Sequence, residues 1–150
     1  MAILKASEGI RLNATSGTSA DYGTRMWHLT KTIPANSGQN LITFTQTSSP
    51  TYRGNVAITV FFAAQRTTSY TEMPARVEMA TIYLNTNGNP TFEGDVTTIV
   101  SGGNAICGAT YSSSGTTCSV GISGASTDVY GGLVVHATTN MWNRISVTIN

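Results

Sequence analysis

The run Asn55-Val56-Ala57-Ile58-Thr59-Val60-Phe61-Phe62-Ala63-Ala64-Gln65 constrains the fold more than any other stretch, because it is the densest run of β-branched and aromatic residues in the chain. Such residues favour strands. Side chains alternate along a strand, which sends Val56, Ile58, Val60, Phe62 and Ala64 to one face and Ala57, Thr59, Phe61 and Ala63 to the other. Both faces are then largely apolar. A strand of this kind lies within a sheet covered on both sides, and no helical run of similar strength is nearby to supply the second cover. The outer face is therefore expected to meet another subunit.

The remaining segments read as shorter strands separated by turns. Thr24 to Ile33 alternates Trp27, Leu29 and Ile33 with His28, Thr30 and Thr32 before Pro34-Ala35-Asn36-Ser37-Gly38 ends it. In Leu41 to Thr45, strict alternation sets Leu41, Thr43 and Thr45 against Ile42 and Phe44. In Ala75 to Asn85, Val77, Met79 and Tyr83 oppose Ala80, Ile82 and Leu84. Residues 73–84 also suit a helix with Pro74 in its first turn. A strand is preferred, because Thr81-Ile82-Tyr83 runs directly into Asn87-Gly88, a hairpin signal that predicts a type I′ turn and pairing with Thr91 to Val100. Ala105 to Tyr111 and Thr116 to Ile122 read as a second hairpin about Ser112-Ser113-Ser114-Gly115. Gly131-Gly132 introduces Leu133 to Thr138, and Met141 to Asn150 is a last strand.

These elements imply an all-β fold, an antiparallel β-sandwich of jelly-roll-like type with about nine strands. Residues 1–20 read as a lead-in segment and linker, and residues 21–150 as a single sandwich domain.

Composition narrows the function. Only 10% of the residues are charged, whereas 25 Thr, 15 Ser and 15 Gly supply polarity through hydroxyls and turns. An average globular chain has about 25% charged residues. Two lysines, six scattered arginines and a formal charge of +1 provide no basic stripe, so nucleic acid is not an expected partner. No apolar run reaches the roughly 18 residues of a membrane span, so no membrane insertion is expected.

Candidate chemistry is sparse. Cys107 and Cys118 lie on the two arms of the second hairpin, where symmetric pairing about its turn would allow a disulfide. The alternative is two reduced, buried thiols. No metal site is expected, since two cysteines lack further ligands at zinc spacing. His28 or His136 could serve a serine with Asp21, Asp95 or Asp128, yet Gly121-Ile122-Ser123-Gly124 is not a nucleophile elbow. Glu93 and Asp95, two apart on one strand, share a face and do not flank a sugar as a glycosidase pair must. The protein is accordingly read as having no cofactor and as not being an enzyme. Tyr52, Arg53, Tyr70 and Tyr111, at turns and strand ends, are the candidate ligand contacts, because flat rings and a fixed guanidinium suit carbohydrate or protein surfaces. Tyr22 and Tyr130 occupy similar places, and Trp27 and Trp142 read as core or subunit-contact residues.

The lead-in Leu4-Lys5-Ala6-Ser7-Glu8-Gly9-Ile10-Arg11-Leu12-Asn13-Ala14, the richness in Thr, Ser, Gly and Asn, and the closing Met141-Trp142-Asn143-Arg144-Ile145-Ser146-Val147-Thr148-Ile149-Asn150 give the chain its style. In these respects it resembles the C-terminal head or tip domain of a bacteriophage tail fibre or tailspike. That resemblance implies a homotrimer on the virion tail, outside the host cell, which binds a bacterial surface polysaccharide or outer-membrane protein, stabilises the fibre trimer, or does both. A monomeric carbohydrate-binding module and a capsid or decoration subunit are the alternative readings.

Overall fold

The computed structural model describes residues 10–12, 23–49, 53–68, 73–103 and 106–150. Its strands are β1 (Ile10–Leu12), β2 (Gly23–Ile33), β3 (Gln39–Gln46), β4 (Gly54–Arg66), β5 (Ala75–Leu84), β6 (Thr91–Gly102), β7 (Ala109–Ser114), β8 (Thr117–Ile122), β9 (Val129–Thr139) and β10 (Ile145–Ile149). They form a six-stranded sheet in the order β1-β2-β9-β4-β5-β6 and a four-stranded sheet in the order β10-β3-β8-β7. Every pairing is antiparallel. Because β2 runs beside β9 and β3 beside β8, two chain segments cross from sheet to sheet together, which gives the sandwich its jelly-roll character. The expected all-β sandwich is the fold the chain adopts. One strand comes from the lead-in, where Ile10 stands opposite Met26 at the sheet edge.

The core forms where the alternation of β4 places it. Val56, Ile58, Val60 and Phe62 are all at most 2% exposed, and they pack among Trp27, Phe44, Ile82, Val120, Leu133 and Val135. Burying each such side chain stabilises the fold by about 1.5–3 kcal/mol. Trp27 meets Phe44 edge-on at 5.7 Å and Trp142 at 6.0 Å. The Trp142 indole N–H donates to the Gly23 carbonyl at 2.8 Å, so both tryptophans are core residues.

Several local expectations require correction. In β3 the register shifts between Asn40 and Ile42, and both Leu41 and Ile42 are buried despite being adjacent. A bulge defeats strict alternation. It lies against Gly121, whose backbone approaches Gln39 so closely that a β-carbon there would overlap the Gln39 carbonyl. The β5–β6 hairpin forms as expected, and residues 75–84 are strand rather than helix. Its turn is not type I′, because Asn36 is the only described non-glycine residue with positive φ, so Asn87 does not take the required conformation. Instead the Gly88 N–H closes on the Asn85 carbonyl at 3.1 Å, and the Asn87 side chain accepts from the Asn89 N–H at 3.0 Å. Gly131 and Gly132 do not precede β9 but lie inside it, since Ile122 of the opposite sheet fills the space where a Gly131 side chain would stand. The expected last strand begins with a 3-10 turn, Trp142–Arg144, which swings Trp142 into the core.

Candidate functional site

Register defines the outer face of the six-stranded sheet row by row. Thr30, Gly132, Ala63, Ala75 and Gly102 line up across five strands. The next row is His28, Val134, Phe61, Val77 and Val100, and the row beyond is Met26, His136, Thr59, Met79 and Thr97. None of these positions carries Asp, Glu, Lys or Arg. The large apolar side chains among the described residues that stand exposed are Phe61, Met73, Met79, Ile99, Val100 and Tyr130. Phe61, Met79 and Val100 belong to these rows, and Tyr130 and Met73 stand beside them. Among the described residues nothing supplies the second cover expected for β4: Phe61 is 41% exposed. A contiguous apolar patch of this kind marks an interaction surface.

The sandwich edge holds a buried polar cluster. Glu78 of β5 is 4% exposed and accepts a 2.9 Å hydrogen bond from the Tyr111 hydroxyl of β7. The Arg76 guanidinium stands 3.7 Å from the other Glu78 oxygen. Burial, the hydrogen bond to Glu78 and the Glu78 charge together push the Tyr111 phenol far above its ordinary range. Its ring also meets Phe92 edge-on at 5.4 Å. Tyr111 therefore ties the two sheets together as it lines the core.

Of the four candidate contacts, the two within the described residues, Arg53 and Tyr111, do not share one site. Tyr52 and Tyr70 lie outside the described residues. Arg53 is exposed, with its guanidinium 5.7 Å from the Tyr83 ring on β5. Tyr83 and Glu78 point to opposite faces of β5, so Arg53 and Tyr111 are on different sides of the sheet. Phe61 escaped the candidates, although the two-faced pattern of β4 already marked it, whereas Tyr130 was named beside the candidate tyrosines.

The cysteine pairing does not form. The β7–β8 turn centres on Gly115 and Thr116, later in the chain than expected, and the register sets Ser113 opposite Cys118. Cys107 precedes β7, six residues from Ser113, or roughly 20 Å along a strand. Both cysteines are buried and free. Burial raises each thiol pKa; nearby Arg76 opposes the shift at Cys107, and the Ser113 hydroxyl opposes it at Cys118.

His28 and His136 both point to the outer face, where the His136 ring lies 5.2 Å from that of Phe61. Of the aspartates considered as partners, Asp128 accepts the Ala35 N–H at 2.8 Å, Asp95 is exposed on β6 and Asp21 lies outside the described residues. Glu93 and Asp95 do not share a regular strand face, because Gly94 has φ 70° and the register passes from Thr81–Glu93 to Met79–Thr97. No cluster of three or more metal-ligating side chains occurs among the described residues. No helix among them is long and apolar enough to cross a membrane.

No family model and no curated protein matches the chain. Among solved structures it is similar to the tailspike protein gp49 of Acinetobacter baumannii bacteriophage Fri1, a capsular polysaccharide depolymerase. The TM-score is 0.54 at 12% identity over 91% of this chain. The tailspikes of Acinetobacter baumannii phage AM24 and of a further Acinetobacter phage align with TM-scores of 0.42 and 0.45 at 9% and 16% identity, over 83% and 91% of this chain. The fold is therefore similar to one found in part of the Fri1 tailspike. This chain spans 21% of the length of the Fri1 protein and 28% and 24% of the other two.

That likeness corrects the reading of the protein as not an enzyme. The exclusion rested on a missing nucleophile elbow and on the spacing of two carboxylates. A fold shared with part of a polysaccharide depolymerase removes the ground for excluding catalysis from those local features.

Proposed function

We propose that the chain is a tip domain of a phage tail fibre or tailspike, which assembles as a homotrimer on the virion tail and engages polysaccharide or an outer-membrane protein on the bacterial surface. The observation that carries this reading is the three uncharged rows on the outer face of the six-stranded sheet, bounded by Glu93 in the next row, with Phe61, Met79, Val100 and Tyr130 exposed together. The described residues of one chain leave that apolar area in water, whereas copies of the same chain would bury it. The likeness in fold to a tailspike supports placement on the virion tail.

Ligand contacts fall to the loops beyond the assembled face. Arg53, exposed beside the Tyr83 ring, offers a planar charged fork that suits the carboxylate of an acidic sugar. Tyr52 and Tyr70 are its companion candidates. Tyr111 can offer a ligand its ring and its oxygen as an acceptor but not a hydroxyl donor, because that proton is committed to Glu78.

The test is binding of the fluorescently labelled chain to encapsulated bacteria, beginning with Acinetobacter baumannii, before and after the capsule is stripped. Binding that disappears with the capsule supports the polysaccharide, and binding that survives stripping but is lost on protease shaving supports a surface protein. Arg53→Ala should weaken either by about tenfold, or about 1.4 kcal/mol. Absence of binding across a broad strain panel would contradict the receptor-binding part of the proposal.

A further inference from the structure

The outer face is not merely apolar but stepped. Two adjoining cavities of about 320 and 200 Å³ share Ala63 and Gly132 as their common floor. The floor is low because no side chain there extends beyond a β-carbon. Tyr130 and Met73 wall it on one side, and Phe61 and Val134 on the other. Phe61 stands two residues from Ala63 on the same face of β4, about 7 Å along the strand. A protruding ridge and an apolar groove thus run side by side across the sheet.

We propose that the groove over Ala63 and Gly132 receives the Phe61 and Val134 ridge of a second copy of this chain, an inference that rests on the assembly reading above. Three features select this occupant. The lining of both cavities includes no Asp, Glu, Lys or Arg and, apart from His28, Thr30, Gln65 and the Tyr130 hydroxyl, is apolar, so it suits an apolar insert better than a charged ligand. The groove needs an apolar insert, and the ridge is one that every copy carries. Ridge and groove also lie on the same face with a fixed offset, so with a three-fold axis running along the rows each copy gives its ridge to one neighbour and takes the ridge of the other. Such a contact closes as a ring without leaving a free end. Ala63 is exposed, which leaves room to alter the groove without disturbing the core.

The experiment measures the absolute mass of the full chain by light scattering for wild type, Ala63→Phe, the double variant Phe61→Ala/Ala63→Phe, and Thr148→Arg on the exposed side of β10. Thermal unfolding confirms that each variant folds. Ala63→Phe keeps the face apolar and suits a strand, yet it fills the groove, so it should shift the protein to monomer. The double variant exchanges ridge and groove along β4 and should recover part of the assembly, and Thr148→Arg should leave the mass unchanged. An assembled wild type with Ala63→Phe of the same mass would overturn the interlock while leaving self-association standing. A monomeric wild type would overturn both.

Discussion

The Tyr111 hydroxyl, on one sheet, donates a 2.9 Å hydrogen bond to Oε2 of Glu78, a 4% exposed carboxylate on the other. Among the described residues the Glu78 charge meets this donor and the more distant Arg76 guanidinium. Removing the donor leaves a buried carboxylate short of a partner, at a cost of about 1–3 kcal/mol. Tyr111→Phe should therefore lower the melting temperature by about 3–9 °C. Calorimetry of the two proteins checks this, and an unchanged midpoint would show that Glu78 finds water instead.

The same contact makes stability depend on pH at the alkaline end. The Tyr111 pKa is raised in the folded chain, first by burial and then by the hydrogen bond to Glu78 and its charge. A raised folded pKa favours the protonated phenol, so its contribution is fully present below the unfolded pKa of about 10 and is lost as pH rises beyond it. The raised Cys107 and Cys118 thiols act with the same sign from about pH 9. Urea unfolding at pH 7, 9 and 10.5 should show falling stability, with a shallower fall in Tyr111→Phe. Equal stability at all three values would contradict the assignment.

Adjacent glycines in β9 should respond oppositely to the same change. A β-carbon on Gly131 would collide with Ile122 Cδ1, whereas one on Gly132 would meet only the Leu29 carbonyl at 3.5 Å and Thr30 Cγ2 at 3.6 Å. Gly131→Ala should destabilise by about 1–3 kcal/mol through overpacking. Gly132→Ala should leave the stability of the single chain unchanged or raise it by up to about 1 kcal/mol, since alanine restricts the unfolded chain. Adding Ile122→Val to Gly131→Ala should recover part of the loss, which denaturant titration of the three variants would reveal as coupling between the sites.

What the sequence disclosed followed from strict alternation. The inner face of β4, the buried set Trp27, Leu29 and Ile33 in β2, and the hairpin after β5 could all be read from period two and an Asn-Gly pair. Features set by contact between distant segments could not. The bulge at Leu41 depends on Gly121 of a neighbouring strand, and the place of Gly131 within β9 depends on Ile122 of the other sheet. A displaced turn at Gly115 was enough to separate Cys107 from Cys118, because register carries a shift along the whole hairpin. For the candidate site, the apolar outer face was legible in Phe61 and Ala63. The groove beside it was not, because it needs the register of β9 against β4 to bring Gly132 to Ala63.

The measurement that tests the account most directly is the absolute solution mass of the unmodified chain by light scattering, at concentrations from about one to one hundred micromolar. A stable species of three chains of 15.8 kDa each is expected, because the apolar rows of the six-stranded sheet would otherwise remain in water. A particle of 15.8 kDa across that range would contradict it, leaving Phe61, Met79 and Val100 exposed without a partner of their own kind.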